Sequence, residues 1–174
     1  NLQGTYYCLT NDVSLDADVV VNANLIANSN ATAIVVETNN KVDVAGYVAG
    51  LTLQTNQNIA TNSGYIFNCL VAGKFDNKNV AGFVANNSGF VNCCGTIAQI
   101  DGTNTDGASG FAQTNSGIIA NSFANGVIQN IDGTKVVCGF VNNNSNGAIY
   151  NSYTSTTMFD RNTYNNSLYE KVYA

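Results

Sequence analysis

One short phrase recurs four times in this chain, and it restricts the fold more than any other feature of the sequence. The copies align without gaps on their glycines, which are Gly64, Gly89, Gly117 and Gly147. An aliphatic residue stands two positions later in every copy: Ile66, Val91, Ile119 and Ile149. Two positions further on, the phrase has Asn68, Cys93, Asn121 and Asn151. Alternation with a period of two is typical of a β-strand that buries one face.

Two further elements accompany the repeated phrase. A Gly-Phe pair precedes the last three copies, at Gly82-Phe83, Gly110-Phe111 and Gly139-Phe140, with an earlier relative at Gly46-Tyr47. Another apolar stretch follows each copy, at 70–75, 96–100, 126–131 and 156–159. Each unit therefore consists of three short strands and the bends between them, in about 25 to 30 residues.

A unit of this size cannot bury its own apolar face, but stacking on identical neighbours buries it. Three strands per unit, each lying on the same strand of the next unit, predict an all-β fold. The predicted fold is a right-handed parallel β-helix, or β-solenoid, with one unit per coil. Inward residues then form two columns, Ile66 on Val91 on Ile119 on Ile149, and Phe83 on Phe111 on Phe140.

The Asn residues of the phrase are also expected to stack. We predict that Asn68, Asn121 and Asn151 form a buried amide ladder at one bend, with Cys93 interrupting it. All repeated residues are then part of the scaffold, and none is a candidate for catalysis.

The sequence divides into three parts of one continuous domain. Residues 1–44 are rich in strand-forming residues but lack the phrase, and we predict that they form an N-terminal cap or the first coils. The repeat solenoid is predicted over residues 45–159. Residues 160–174 lose the pattern and are predicted to be a C-terminal cap or a linker.

The repeated units resemble the GLUG repeat. The resemblance rests on "GFVANNSGFVNC", "GFAQTNSGIIANSFANG" and "GFVNNNSNGAIYNSY", and it covers about residues 45 to 155. The chain departs from that pattern where Ala81, Ser109 and Cys138 replace the second glycine of a Gly-Gly pair. GLUG repeats occur in large surface proteins and adhesins, so the resemblance implies a β-helical stalk or adhesive segment at the cell surface or outside the cell.

Charge and hydrophobicity exclude several classes of partner. Charged residues make up 10% of the chain, and the net charge is −5 with six basic residues. That balance provides no basic surface for nucleic acid. No apolar run reaches the roughly 18 residues of a membrane-spanning helix, so we predict no membrane span in this segment.

The sequence predicts that the protein is not an enzyme. Glycan-active β-helix enzymes are the nearest alternative, but glycoside hydrolysis needs two carboxylates around one bond. Here the eleven acidic residues are mostly single turn residues, and the chain has no His. We predict no cofactor. Asp101, Asn104 and Asp106 form a weak calcium candidate in "DGTNTDG", because the closing Glu of an EF-hand is missing.

Five cysteines are interpreted mainly as small buried apolar residues, with one disulfide as the alternative. An odd number leaves at least one thiol free or paired outside the chain.

Two functions remain open. The first is an adhesin or stalk segment that binds a cell-surface protein or glycan. The second is a self-associating subunit of an extracellular filament or wall. For either function we predict a contact patch of outward side chains that alternate with the inward aliphatic residues: Tyr65, Phe67, Phe90, Ile118 and Tyr150.

Overall fold

The protein is a parallel β-solenoid. The computed structural model describes residues 5–27, 33–36, 40–55, 58–75, 80–102, 107–131 and 135–160. All strand pairs in this part of the chain are parallel, and each strand lies on the equivalent strand of the next coil. The predicted fold class is therefore confirmed.

Three long sheets form the sides of the solenoid. Sheet A contains β1 (Tyr6–Leu9), β4 (Asn24–Ala27), β7 (Tyr47–Ala49), β10 (Tyr65–Phe67), β14 (Phe90–Asn92), β18 (Ile118–Ala120) and β22 (Ala148–Tyr150). Sheet B contains β2 (Val13–Leu15), β5 (Ala33–Val36), β8 (Thr52–Thr55), β11 (Leu70–Phe75), β15 (Gly95–Asp101), β19 (Phe123–Ile131) and β23 (Tyr153–Asp160). Sheet C contains β3 (Val19–Val21), β6 (Val42–Val44), β9 (Ile59–Asn62), β13 (Val84–Asn87), β17 (Ala112–Asn115) and β21 (Val141–Asn143). A short fourth sheet contains β12 (Val80–Ala81), β16 (Gly107–Ser109) and β20 (Val136–Cys138).

The coils of the repeat region lengthen along the chain. Equivalent residues in the repeat region are separated by 25, 28 and 30 positions, as the pairs Asn62 with Asn87, Asn87 with Asn115 and Ser122 with Ser152 show. Coils nearer the N-terminus are shorter, with separations of 18 between Asp43 and Thr61 and 23 between Asp18 and Lys41. The coils are short because the fourth sheet begins only at β12 and the early strands of sheet B are shorter. Apart from Asp160, the predicted C-terminal cap or linker lies outside the described residues.

The predicted core columns are present, except that Ile149, which pairs in register with Ile119, is 36% exposed instead of buried. Ile66, Val91 and Ile119 pair in register in sheet A, and each is at most 1% exposed. The rings of Phe83 and Phe111 stack with centroids 4.7 Å apart, and those of Phe111 and Phe140 with centroids 4.8 Å apart. Burying a side chain of this size stabilises the fold by about 1.5–3 kcal/mol.

The glycine of the repeated phrase is required because adjacent coils touch there. A Cβ atom on Gly89 would overlap with the carbonyl oxygen of Gly64, and one on Gly117 would overlap with that of Gly89. The backbones approach this closely because Phe90 and Ile118 donate their N–H groups to the same two oxygens at 2.9 Å. Any side chain at these positions would push the coils apart.

The predicted buried ladder of Asn68, Asn121 and Asn151 is wrong. These residues are exposed and adopt left-handed backbone angles, with φ of 51°, 50° and 47°. This conformation turns the chain sharply from sheet A to sheet B, so the side chain at the corner points to solvent. Gly50 and Cys93 occupy the same corner, with φ of 74° and 55°.

A different set of Asn residues forms the buried ladder. The Asn two positions before the glycine of the phrase is at most 1% exposed in Asn62, Asn87 and Asn115. Asn62 Nδ2 donates to Asn87 Oδ1, Asn87 Nδ2 to Asn115 Oδ1, and Asn115 Nδ2 to Asn144 Oδ1, each at 2.7 Å. The ladder satisfies buried amide groups from coil to coil, as stacked β-structures require.

Replacing Cys93 with asparagine is expected to raise the free energy of unfolding by about 0.5–1 kcal/mol. Left-handed backbone costs an ordinary residue roughly 1–2 kcal/mol, whereas Asn tolerates it. Urea unfolding of Cys93→Asn beside the parent chain measures the gain, and Asn121→Cys at the equivalent corner should give a loss of similar size. Destabilisation by Cys93→Asn would show that the thiol makes a contact worth more than the backbone strain.

Candidate contact surface on sheet A

The five residues predicted to form a contact patch lie on the outer face of sheet A. In β10, β14 and β18 the central residue is buried, so the first and third residues face outward. Tyr65, Phe90 and Ile118 pair in register and form one outward column. Phe67 and Tyr150 belong to a second outward column, which runs parallel to the first.

The first column is a stack of aromatic rings that includes Tyr47, which is not among the five predicted residues. Tyr47 stacks on Tyr65 with centroids 5.4 Å apart, and Tyr65 stacks on Phe90 at 4.7 Å with 13° between the planes. From sequence alone, Gly46-Tyr47 resembles the Gly-Phe pairs. The structure shows instead that β7 pairs with β10, which makes Gly46-Tyr47 a copy of Gly64-Tyr65. The backbone overlap that a Cβ on Gly64 would make with Gly46 follows from the same pairing.

The phenol groups of this column are close to one another. Burial, and then the neighbouring phenols of Tyr65 and Tyr6, raise the pKa of Tyr47 above its ordinary value. The Tyr47 hydroxyl therefore stays neutral at physiological pH and offers hydrogen bonds without adding charge to the face.

The second column contains two rings separated by short side chains. Phe67, Asn92, Ala120 and Tyr150 follow one another in register on consecutive strands. Tyr150 is 57% exposed, and Phe67 is half-buried. No aromatic ring in the described part of the chain stacks on either of them.

Amide groups border this column at the corner between sheets A and B. Asn121 Nδ2 donates to Asn92 Oδ1 at 2.8 Å, and Asn151 Nδ2 donates to Asn121 Oδ1 at 3.3 Å. Both bonds are exposed to solvent. The two outward columns, from Tyr6 and Cys8 in β1 to Ala148 and Tyr150 in β22, contain no charged residue.

The calcium candidate is only partly described. Asp101 is the last residue of β15 and is half-buried, while Asn104 and Asp106 lie outside the described residues. Across the described ranges, no three His, Cys, Asp or Glu side chains are grouped closely enough to hold a metal ion.

The cysteines differ in burial. All five are free thiols; Cys69 and Cys94 are buried, Cys8 and Cys93 are exposed, and Cys138 is intermediate. Cys94 lies in one column with Ser122, whose Oγ accepts the Cys94 N–H at 3.2 Å. Burial raises the pKa of Cys94 well above its ordinary value. That thiol therefore stays protonated and serves the core, as the interpretation of cysteines as small buried residues predicted for it.

Comparisons with known proteins add no relative. No family model matches this chain, and neither the curated proteins nor the solved structures that were searched contain a match. In the described residues, no helix is long and apolar enough to cross a membrane.

Proposed function

We propose that this protein is a non-catalytic, adhesive β-solenoid of a cell-surface or extracellular protein, and that it binds through the outer face of sheet A. One observation carries the proposal: two outward columns without charge, one of them an aromatic stack, run along seven adjacent strands. The rings of the stack, Tyr47, Tyr65 and Phe90, are half-buried, and a contiguous, partly exposed apolar surface bordered by polar residues is typical of interaction sites.

The resemblance of residues 45–155 to GLUG repeats supports the location. Proteins with such repeats are surface proteins and adhesins, in which a stiff repeat segment holds a binding face away from the cell. The composition supports the absence of catalysis, because the repeated residues are used for stacking and the chain has no His.

Binding to intact cells tests the proposal. The labelled chain is added to bacterial, fungal and mammalian cells, and bound label is counted by flow cytometry. We expect at least one cell type to bind, and we expect the double variant Tyr65→Ser, Phe90→Ser to lose at least about tenfold in affinity, or about 1.4 kcal/mol.

Ile97→Ser is the matched control, because Ile97 is an apolar residue, 51% exposed, on the outer face of sheet B. It should leave cell binding unchanged. Equal losses in the control and the double variant, or no binding to any of the cells, would contradict an adhesive role for sheet A.

A second candidate function is self-association into a filament, and a separate observation favours it. Among the described residues, most exposed large hydrophobic side chains lie in the first or last coil: Tyr6, Tyr7, Val20, Val136, Ile149, Tyr150 and Tyr153. An opening of about 360 Å³ at the last coil is lined by Phe140, Val141 and Ile149, among others. Open ends of this kind can pair with another chain.

Light scattering coupled to size-exclusion chromatography separates the two functions. A molar mass of one chain over a wide concentration range would rule out the filament. Growth of the mass with concentration would favour it over the adhesive segment.

A further inference from the structure

The structure points to a saccharide site in the second outward column of sheet A, between Phe67 and Tyr150, and we propose that it binds a neutral glycan. The inference rests on the proposed adhesive function and names the class of ligand. Phe67 and Tyr150 are three ladder steps apart, or about 14 Å at the usual strand spacing. Asn92 and Ala120, which stand between them, have short side chains, and Ala120 is buried.

The two columns of sheet A present their rings differently. In the first column the faces of Tyr65 are turned toward Tyr47 and Phe90, so the rings cover one another. In the second column no described ring stacks on Phe67 or Tyr150. An aromatic ring has a negative face, which attracts the partly positive C–H groups on the flat side of a sugar. The second column therefore has rings whose faces are not covered by another described ring, and Tyr150 is the more exposed of the two.

Amide groups that can hydrogen-bond to a sugar border these rings at the corner between sheets A and B. The amides of Asn92, Asn121 and Asn151 form a chain along the corner. An amide group has two N–H donors and two acceptor positions. Asn92 Oδ1 accepts from both Asn121 Nδ2 and Cys93 Sγ, so Asn92 keeps only N–H donors. Asn121 and Asn151 keep both donors and acceptors for the hydroxyl groups of a sugar.

The charge of the protein selects against acidic glycans. Neither outward column of sheet A contains Lys or Arg to pair with carboxylate or sulfate groups, and the chain has a net charge of −5. An anionic glycan would be repelled without gaining a compensating ion pair. The ligand is therefore uncharged, and its chain runs along the solenoid axis, across the strands.

Titration of the full chain with defined oligosaccharides tests the site. The probes are cellohexaose, mannohexaose and chitohexaose as neutral glycans, and a galacturonic acid hexamer as an acidic one. We expect at least one neutral probe to bind, and the acidic probe to bind at least about tenfold more weakly than it. Tyr150→Leu and Phe67→Leu, which keep apolar bulk but remove the ring face, should each weaken binding at least about tenfold.

Tyr153→Leu is the matched control, because Tyr153 is 63% exposed in the same coil but belongs to sheet B. It should bind as the parent chain does. Because Phe67 is half-buried, its variant is compared only if its thermal midpoint matches that of the parent; the exposed Tyr150 carries the test otherwise. Failure of all neutral probes, preference for the acidic probe, or an equal loss in Tyr153→Leu would overturn the site.

The cell-binding measurement keeps this result separate from the proposed function. If cells bind through Tyr65 and Phe90 but Phe67→Leu and Tyr150→Leu bind them normally, the saccharide site is overturned and the adhesive face stands. If no cell binds while a neutral probe binds through Tyr150, the adhesive proposal fails and the site stands.

Discussion

Replacing Gly110 with alanine is expected to lower the free energy of unfolding by more than about 4 kcal/mol, an effect found only where packing fails severely. A Cβ atom at Gly110 would overlap with the carbonyl oxygen of Gly139 and would lie 2.7 Å from Thr156 Oγ1. The coils cannot separate to accommodate it, because Phe111 N–H donates to Phe140 O at 2.8 Å next to the contact. Urea unfolding followed by circular dichroism measures the loss.

Gly50→Ala is the matched control for this prediction. The nearest atom to a Cβ at Gly50 is Ala27 O at 3.7 Å, so the methyl group has space, but φ is +74°. The cost should then be that of a left-handed residue alone, about 1–2 kcal/mol. Equal costs for the two substitutions would show that coil-to-coil contact does not explain the glycines of the Gly-Phe pairs.

Replacing Asn87 with leucine is expected to cost about 3–5 kcal/mol. The leucine removes the acceptor of Asn62 Nδ2 and the donor to Asn115 Oδ1, both bonded at 2.7 Å. Asn62 and Asn115 are at most 1% exposed, so water does not replace the lost bonds. Each buried polar group left without a partner costs about 1–3 kcal/mol.

The neighbouring Asn86 provides the control, because it is the same residue type in the same strand and faces solvent. Asn86→Leu should change the free energy of unfolding by no more than about 0.5 kcal/mol. Thermal and urea unfolding measure the free energy of unfolding of both variants. A loss for Asn87→Leu as small as that for Asn86→Leu would mean that the amide ladder contributes little to stability.

The fold could be predicted because the sequence repeats one short unit, and each copy of that unit forms a coil that stacks on the next. The spacing of Ile66, Val91 and Ile119 defined both the strand period and the coil length, and the structure confirms both. The shorter early coils were not predicted. Gly46-Tyr47 lies 18 positions before Gly64-Tyr65, but its sequence resembles the Gly-Phe pairs, and the residues before 45 lack the phrase.

The two Asn columns show where pattern reasoning fails. Both columns recur in the phrase, and which one is buried depends on backbone angles that a spacing does not encode. One signal was available: Gly50 occupies the column of Asn68, and a column that accepts both Gly and Asn indicates left-handed backbone. A left-handed residue turns the chain sharply, so the column of Asn68 lies at a corner of the coil, where its side chains face solvent.

The contact surface was predictable in position but not in composition. Alternation placed Tyr65 and Phe90 outward, but the pairing of β7 with β10 was needed to add Tyr47 to the stack. The free ring faces of Phe67 and Tyr150 depend on which residues lie beside them in neighbouring coils, and that follows only from the register.

Hydroxyl-radical footprinting on bound cells tests most directly the claim that sheet A is the binding face. The unmodified chain is oxidised free in solution and on a cell type that binds it, and oxidation of each residue is read by mass spectrometry. We expect binding to protect Tyr65, Phe90 and Tyr150 while Tyr153 and Ile97 on sheet B remain as reactive as in the free chain. Protection of Tyr153 and Ile97 with no change at Tyr65 and Phe90 would contradict the account.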